Sequence, residues 1–199
     1  MCCVCAIVLC MGCLSSGTYG WYTETAKVTS TLEFGQWAAA PVNLLSNGDF
    51  ANGKGEWSNG NAGYTGNSID YSEGFVKLIR GQEATRAPYV QQKITGTYPA
   101  GTYTLSGKVL VSGEEGCATA EIEISFKNGA GTVTNEPKKI TFNGSGQPRP
   151  QAMTWTDFSV DVIIPAGETV TDLNVMLKHT LSKIGYICYD DISVVQKQP

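Results

Sequence analysis

Histidine is almost absent: the 199-residue chain carries one, His179. A Ser-His-Asp relay could use only that residue, and no Gly-x-Ser-x-Gly nucleophile turn accompanies it. His179 closes an alternating apolar run just before Thr180-Leu181-Ser182, the pattern of a solvated strand end. Charge is also scarce, at 16 % of residues with a net of -4 and no long run of either sign. A nucleic-acid binder needs a basic face to neutralise phosphates, so no nucleic-acid partner is expected. No internal repeat and no amphipathic helix of useful length interrupts the chain. The best carboxylate pair for hydrolytic chemistry is Glu121 and Glu123, two apart among Ser and Lys on a polar strand face. No apolar pocket surrounds them to raise a pKa, so they read as solvated and the chain as non-enzymatic.

Cysteine is missing from the whole stretch between Cys13 and Cys117. Five of the seven cysteines (Cys2, Cys3, Cys5, Cys10, Cys13) crowd the first thirteen residues. Their Cys-Cys-x-Cys spacing has no second ligand cluster, which zinc would need. Val4, Ala6, Ile7, Val8, Leu9 and Leu14 make Met1–Leu14 apolar but shorter than the ~20 residues that span a bilayer. It reads as a targeting segment, and no transmembrane span is expected in the mature chain. Secretion permits a Cys117–Cys188 disulfide, with two separate buried thiols as the alternative.

What is abundant is glycine, at 23 copies, set between short runs of Val, Ile, Tyr, Phe and Thr. That punctuation marks an antiparallel all-β sandwich. The strands expected are Asn43–Leu45, Ser68–Tyr71, Phe75–Arg80, Tyr89–Thr95, Thr102–Val111, Thr119–Lys127, Lys138–Phe142, Phe158–Ile164, Leu173–His179 and Gly185–Val195. Tyr98-Pro99-Ala100-Gly101 and Pro165-Ala166-Gly167 supply turn chemistry. Alternation puts Tyr103, Leu105, Val109 and Val111 on one face with Thr104, Ser106 and Lys108 opposite. Phe158, Val160 and Val162 face in, as do Leu173, Val175 and Leu177. One buried face per strand is the sandwich pattern.

Two resemblances follow from ordered motifs. Gly17-Thr18-Tyr19-Gly20-Trp21-Tyr22-Thr23-Glu24, followed by Thr31-Leu32-Glu33-Phe34-Gly35, resembles the signal peptides of biofilm fibre and camelysin-like surface proteins. It departs at Gly20, for Ala, and at Glu24, for Asp. The resemblance implies cleavage near Gly20: residues 1–20 a signal peptide, 21–41 an extension carrying Trp21 and Trp37, and a secreted, extracellular product. An ordinary secretory signal cut near Ala38-Ala39-Ala40 is the alternative.

The second resemblance covers residues 42–196. Asn43-Leu44-Leu45-Ser46-Asn47-Gly48-Asp49-Phe50 with Trp57, then Tyr89-Val90-Gln91-Gln92-Lys93-Ile94-Thr95, then Pro99-Ala100-Gly101-Thr102-Tyr103-Thr104-Leu105, open the series. Trp155-Thr156-Asp157-Phe158 and Tyr189-Asp190-Asp191-Ile192-Ser193-Val194 close it. Together they resemble the galactose-binding-like jelly roll of carbohydrate-binding modules, families four, nine and twenty-two. The resemblance implies a non-catalytic module that attaches to polysaccharide or glycan. The alternative is a structural surface or matrix protein that uses the sandwich for self-assembly or to bind a surface protein, with Trp21–Phe34 as an exchanged strand.

The family parity turns Val90, Gln92 and Ile94 inward and Tyr89, Gln91 and Lys93 outward. Sugars want an aromatic platform beside amides and hydroxyls, so Tyr89 and Gln91 are the favoured pair. Tyr64, Tyr71, Arg80 and Arg86 lie in or beside loops that could line the same cleft. Trp57 and Trp155 occupy mostly structural motif positions, and Tyr103 reads as core. The family's structural calcium implies Asp49 and Asp190 as ligands with loop carbonyls, although Ala51 stands where a Glu is usual; otherwise Asp190 caps the first loop through backbone N–H groups.

Overall fold

The computed structural model describes residues 42–82, 84–112, 120–128, 138–141, 153–179 and 185–197. The expected signal and extension, with Trp21 and Trp37, lie outside these residues, as does Cys117 of the cysteine pair.

Ten strands form: β1 (Ser58–Gly60), β2 (Ser68–Asp70), β3 (Val76–Arg80), β4 (Tyr89–Tyr98), β5 (Gly101–Val111), β6 (Ala120–Asn128), β7 (Lys138–Thr141), β8 (Thr156–Ile164), β9 (Val170–His179) and β10 (Gly185–Gln196). They build two five-stranded antiparallel sheets, in the orders β1-β4-β9-β6-β7 and β2-β3-β10-β5-β8. The result is an all-β jelly-roll sandwich.

The alternation read from the sequence is what closes the two sheets on each other. Leu173, Val175 and Leu177 of β9 and Val90 of β4 are buried from one sheet. Tyr103, Leu105, Val109 and Val111 of β5, Phe158, Val162 and Ile164 of β8, and Ile187, Tyr189, Ile192 and Val194 of β10 are buried from the other. All belong to one apolar cluster. Burying side chains of this size contributes about 1.5–3 kcal/mol each before the entropy of ordering them is subtracted.

Three expectations differ from the fold. Asn43–Leu45 is not a strand: it contributes one bridge, Asn43 to Val195, and the Leu44 N–H bond to the Val194 carbonyl. Side chains hold this segment's end and the residue after it. The Gln92 amide both accepts from the Ser46 N–H (2.9 Å) and donates to the Ser46 carbonyl (2.9 Å), standing in for a neighbouring strand. Asn43 Oδ1 accepts from the N–H groups of Leu45 and Val194. Second, Ser58–Gly60 is a strand that no expected run covers; it pairs with β4, Gly60 opposite Tyr89. Third, His179 is not solvated but 1 % exposed. Its N–H donates to the carbonyl of Pro88, itself buried, so this strand end lies beneath the chain leading into β4.

Trp57 and Tyr103 are core, as expected. The Trp57 ring sits 5.2 Å from Phe50, and its Nε1 donates to the Asn47 carbonyl. Trp155 packs edge-on against Phe75 at 5.5 Å yet stays 38 % exposed. Cys188 is buried. Glu121 and Glu123 lie on β6, and their side chains fall outside the described residues.

Candidate functional site

The outer face of the β1-β4-β9-β6-β7 sheet carries a recess of 260 Å³ lined by Gln91, Lys93, Ser125, Asp172 and Asn174. Register explains the grouping. Lys93 of β4 sits opposite Asn174 of β9, which sits opposite Ser125 of β6. Gln91 pairs with Met176, one step along the same face. Lys93 Nζ and Asp172 Oδ1 form an ion pair at 3.1 Å, with the lysine side chain 60 % exposed and the aspartate 27 %.

Tyr89 lies on the same strand face as Gln91, at the end nearer β1. Its ring crosses Gly60: a Cβ on Gly60 would overlap the ring atoms Cζ, Cε1 and Cε2. The missing side chain at Gly60 is what lets the aromatic ring settle over β1. A ring in that position presents an apolar surface over β1, two residues along β4 from Gln91, and the same sheet face thus carries an aromatic ring, two amides, a hydroxyl and an ion pair, the mixture that suits a polyhydroxylated ring with C–H faces.

The loop candidates have partners of their own. Tyr64 and Arg86 pair with each other, the guanidinium 5.4 Å from the ring centroid, and the Tyr64 hydroxyl shares a hydrogen bond with Thr85 Oγ1. Buried Asn67 holds this corner together. Its amide donates to the carbonyls of Asn61 and Arg86 and accepts from the Gly81 N–H. Arg80 is committed to the Ala84 carbonyl at 2.8 Å. Tyr71 donates its hydroxyl to Asn59 and rests its ring 6.0 Å from Phe50; burial pushes its pKa up to about 12. Successive residues of a strand point to opposite faces, so Asn59 and its partner Tyr71 lie on the other side of β1 from the Tyr89 ring.

Tyr89 and Gln91 are therefore together on the recessed face, Tyr64 and Arg86 together at a loop corner, and Tyr71 is engaged in the fold. Lys93, Ser125, Asp172 and Asn174 join Gln91 only through strand pairing across β4, β9 and β6. Alternation within one strand shows that Lys93 and Asn174 face out, but not that they meet.

A second recess, of 340 Å³, lies between the first loop and β10, lined by Asn43, Leu45, Asn47, Gly48, Asp49, Asp191, Ile192 and Ser193. Burial raises the pKa of Asp190 beside it; the charges of Asp191 and Asp49 add to the rise, while the Asp191 N–H and Lys108 oppose it. Asp190 Oδ1 accepts from the Asp191 N–H rather than from the first loop. Asp191 is paired with Lys108 at 2.7 Å. The carboxylates of Asp49 and Asp190 are hard oxygen donors of the kind calcium takes, and their mutual repulsion suits a cation. They are two, however, and Ala51 adds none. Among the described residues no group of three or more acidic, Cys or His side chains is placed to hold an ion. The donor set fits a weakly held calcium completed by backbone and solvent oxygens, not a full protein cage.

No family model and no curated protein matches the chain. Solved structures do. An enzymatically active domain of tailspike protein 4 from bacteriophage CBA120 superposes with a TM-score of 0.58 at 13 % identity, over 78 % of this chain and 21 % of the tailspike. The chain thus spans about a fifth of that protein. A family 16 carbohydrate-binding module gives 0.55 at 20 % identity, over 77 % of this chain and 100 % of the module. A family 4 carbohydrate-binding module gives 0.51 at 18 % identity, over 76 % and 99 %. At these identities the likeness is one of fold. Among the described residues no helix is long and apolar enough to cross a membrane.

Proposed function

We propose that the chain is a non-catalytic, secreted carbohydrate-binding module that attaches to extracellular polysaccharide through the outer face of the β1-β4-β9-β6-β7 sheet. The observation that carries this reading is one sheet face that holds both the Tyr89 ring, seated over Gly60, and the polar recess of Gln91, Lys93, Ser125, Asp172 and Asn174. Modules named for carbohydrate binding share the fold along nearly their whole length, which supports it. Affinity electrophoresis of the full chain in gels cast with neutral polysaccharides tests it. Retardation by at least one polymer is expected; migration unchanged in every gel would sink the reading.

The alternative, a surface protein that assembles through the sandwich, would use a sheet edge. The longest strand at a sheet edge among the described residues is β8, whose outward side carries Asp157, Ser159, Asp161 and Ile163. Charged edges resist strand-to-strand pairing, so glycan attachment is the preferred reading.

The recess beside Asp49 and Asp190 is proposed as a weak calcium site, of the ~1 mM class found in extracellular modules. About 10 mM calcium would then stabilise the fold by roughly 1.4 kcal/mol, or about 4 °C in Tm. The sign at Asp190 is unusual for a carboxylate. Its folded-state pKa is raised, so the proton is held more tightly in the folded chain. The associated stability is fully present below the ordinary value of 3.8 and is lost as pH rises through the raised value. At neutral pH without calcium, Asp190→Asn is therefore expected to melt higher than wild type. With calcium, the wild type should rise and the variant should not. Calorimetric scans with chelator and with calcium check both signs; a wild type indifferent to calcium removes the site.

A further inference from the structure

The charge pattern of the recess bears on which sugars it takes. Among the lining residues of the recess Lys93 is the cation that would draw a sugar carboxylate, but its ammonium already meets Asp172 at 3.1 Å. An acidic sugar would have to displace Asp172 or sit against it. The remaining lining, Gln91, Asn174 and Ser125, offers amides and a hydroxyl that donate and accept without net charge.

The pair itself has a neutral match. It places a donor, Lys93 Nζ, beside an acceptor, Asp172 Oδ1, at a separation close to that of two staggered hydroxyl oxygens on adjacent ring carbons. One hydroxyl can accept from the ammonium while its neighbour donates to the carboxylate. Hydrogen bonds to charged groups are stronger than neutral ones, so such a pair discriminates among diol geometries. The exposed lysine can make these contacts without breaking the ion pair.

We propose that Lys93 and Asp172 act together as a reader of a neutral vicinal diol and that Asp172 excludes uronic acids. This rests on the glycan-binding reading above and names the ligand class of that same face.

The test uses the full chain, a panel of neutral polysaccharides (glucans, xylan, mannan, galactan) and two polyuronates, polygalacturonate and alginate. The wild type should bind a neutral polymer, bind neither polyuronate, and change little between about 50 and 500 mM salt. Lys93→Met and Asp172→Asn should each weaken the neutral polymer by about tenfold or more. Asp172→Asn should also gain polyuronate binding that salt abolishes, since Lys93 is then unpaired; a merely structural role for Asp172 gives no such gain. Matched far-ultraviolet spectra and melting curves confirm that the variants are folded. Neutral binding that both variants retain at wild-type strength overturns the proposal and leaves the glycan reading standing. So does a wild type that prefers polyuronate. A wild type that binds no polysaccharide overturns the glycan reading, and the proposal with it.

Discussion

A Gly60→Ala variant is expected to lose glycan binding to the same extent as Tyr89→Ala while remaining folded. Gly60 is not among the positive-φ glycines, so its backbone accepts alanine without strain. What alanine brings is a methyl group in the space the Tyr89 ring occupies. The overlapping atoms belong to the far end of a side chain, so the ring swings away and the fold persists. Sugar stacked on a displaced ring loses most of that contact, about 2 kcal/mol or roughly 30-fold in affinity. A thermal melt should stay within about 3 °C of wild type, because alanine also removes glycine's entropic penalty in a strand. The double variant should bind no worse than either single one, since both substitutions remove the same contact. Wild-type affinity in Gly60→Ala would show that the ring over β1 is not the platform.

The same pair of residues shows where sequence reading succeeds and stops. The outward parity of Tyr89 and Gln91 is legible because strand alternation is local and strict. The inward faces of β5, β8 and β9 are legible for the same reason. Gly60 is not: Ser58-Asn59-Gly60 has turn composition, and it becomes a strand only because β4 offers it a partner. The first loop inverts the case. Asn43-Leu44-Leu45 has strand composition, but the Leu45 N–H goes to the Asn43 side chain and the next residue, Ser46, to the Gln92 amide, partners that no local pattern announces. His179 was expected at a wet strand end, and Pro88, distant in sequence, puts it under cover.

For the candidate site the limit is cross-strand register. Lys93, Asn174 and Ser125 each sit at a polar position of an alternating strand, which by itself describes any solvated face. They become a recess because β4, β9 and β6 are neighbours in a fixed register, and Asp172 reaches Lys93 across that register. Resemblance at the level of motifs does not supply this either. The motifs that mark the fold, around Asn47-Gly48, Trp57, Tyr103 and Tyr189, are largely buried positions that hold the sheets together. The Tyr89–Thr95 motif adds Tyr89, Gln91 and Lys93 to the face, and register alone brings Asp172, Asn174 and Ser125 to them.

Gly48 is the motif residue whose substitution should cost most. Its carbonyl accepts from the Ile192 N–H at 2.9 Å, which pins the first loop to β10 where the register shifts between Asp190 and Ser193. A Cβ at Gly48 would run into the Ile192 carbonyl oxygen, with the carbonyl carbon 2.9 Å away. Unlike the Tyr89 ring, this obstacle is backbone and cannot rotate aside. Nor can β10 retreat: the Ile192 side chain is buried, and Asp191, at φ 51, is tied to Lys108. Relief must come from the loop lifting away, which breaks the Gly48–Ile192 bond and disturbs Phe50 and Trp57 behind it. Overpacking plus the lost bond is expected to cost about 3–5 kcal/mol and lower Tm by roughly 10 °C or more. Gly53→Ala is the matched control. Gly53 has φ 64 but open space around its missing Cβ, so only the left-handed penalty of about 1 kcal/mol applies. Melting followed by tryptophan fluorescence and near-ultraviolet dichroism separates the two. A Gly48→Ala protein that melts with the Gly53→Ala control would show that the first loop is free to shift and that its close approach to β10 does not hold the sandwich together.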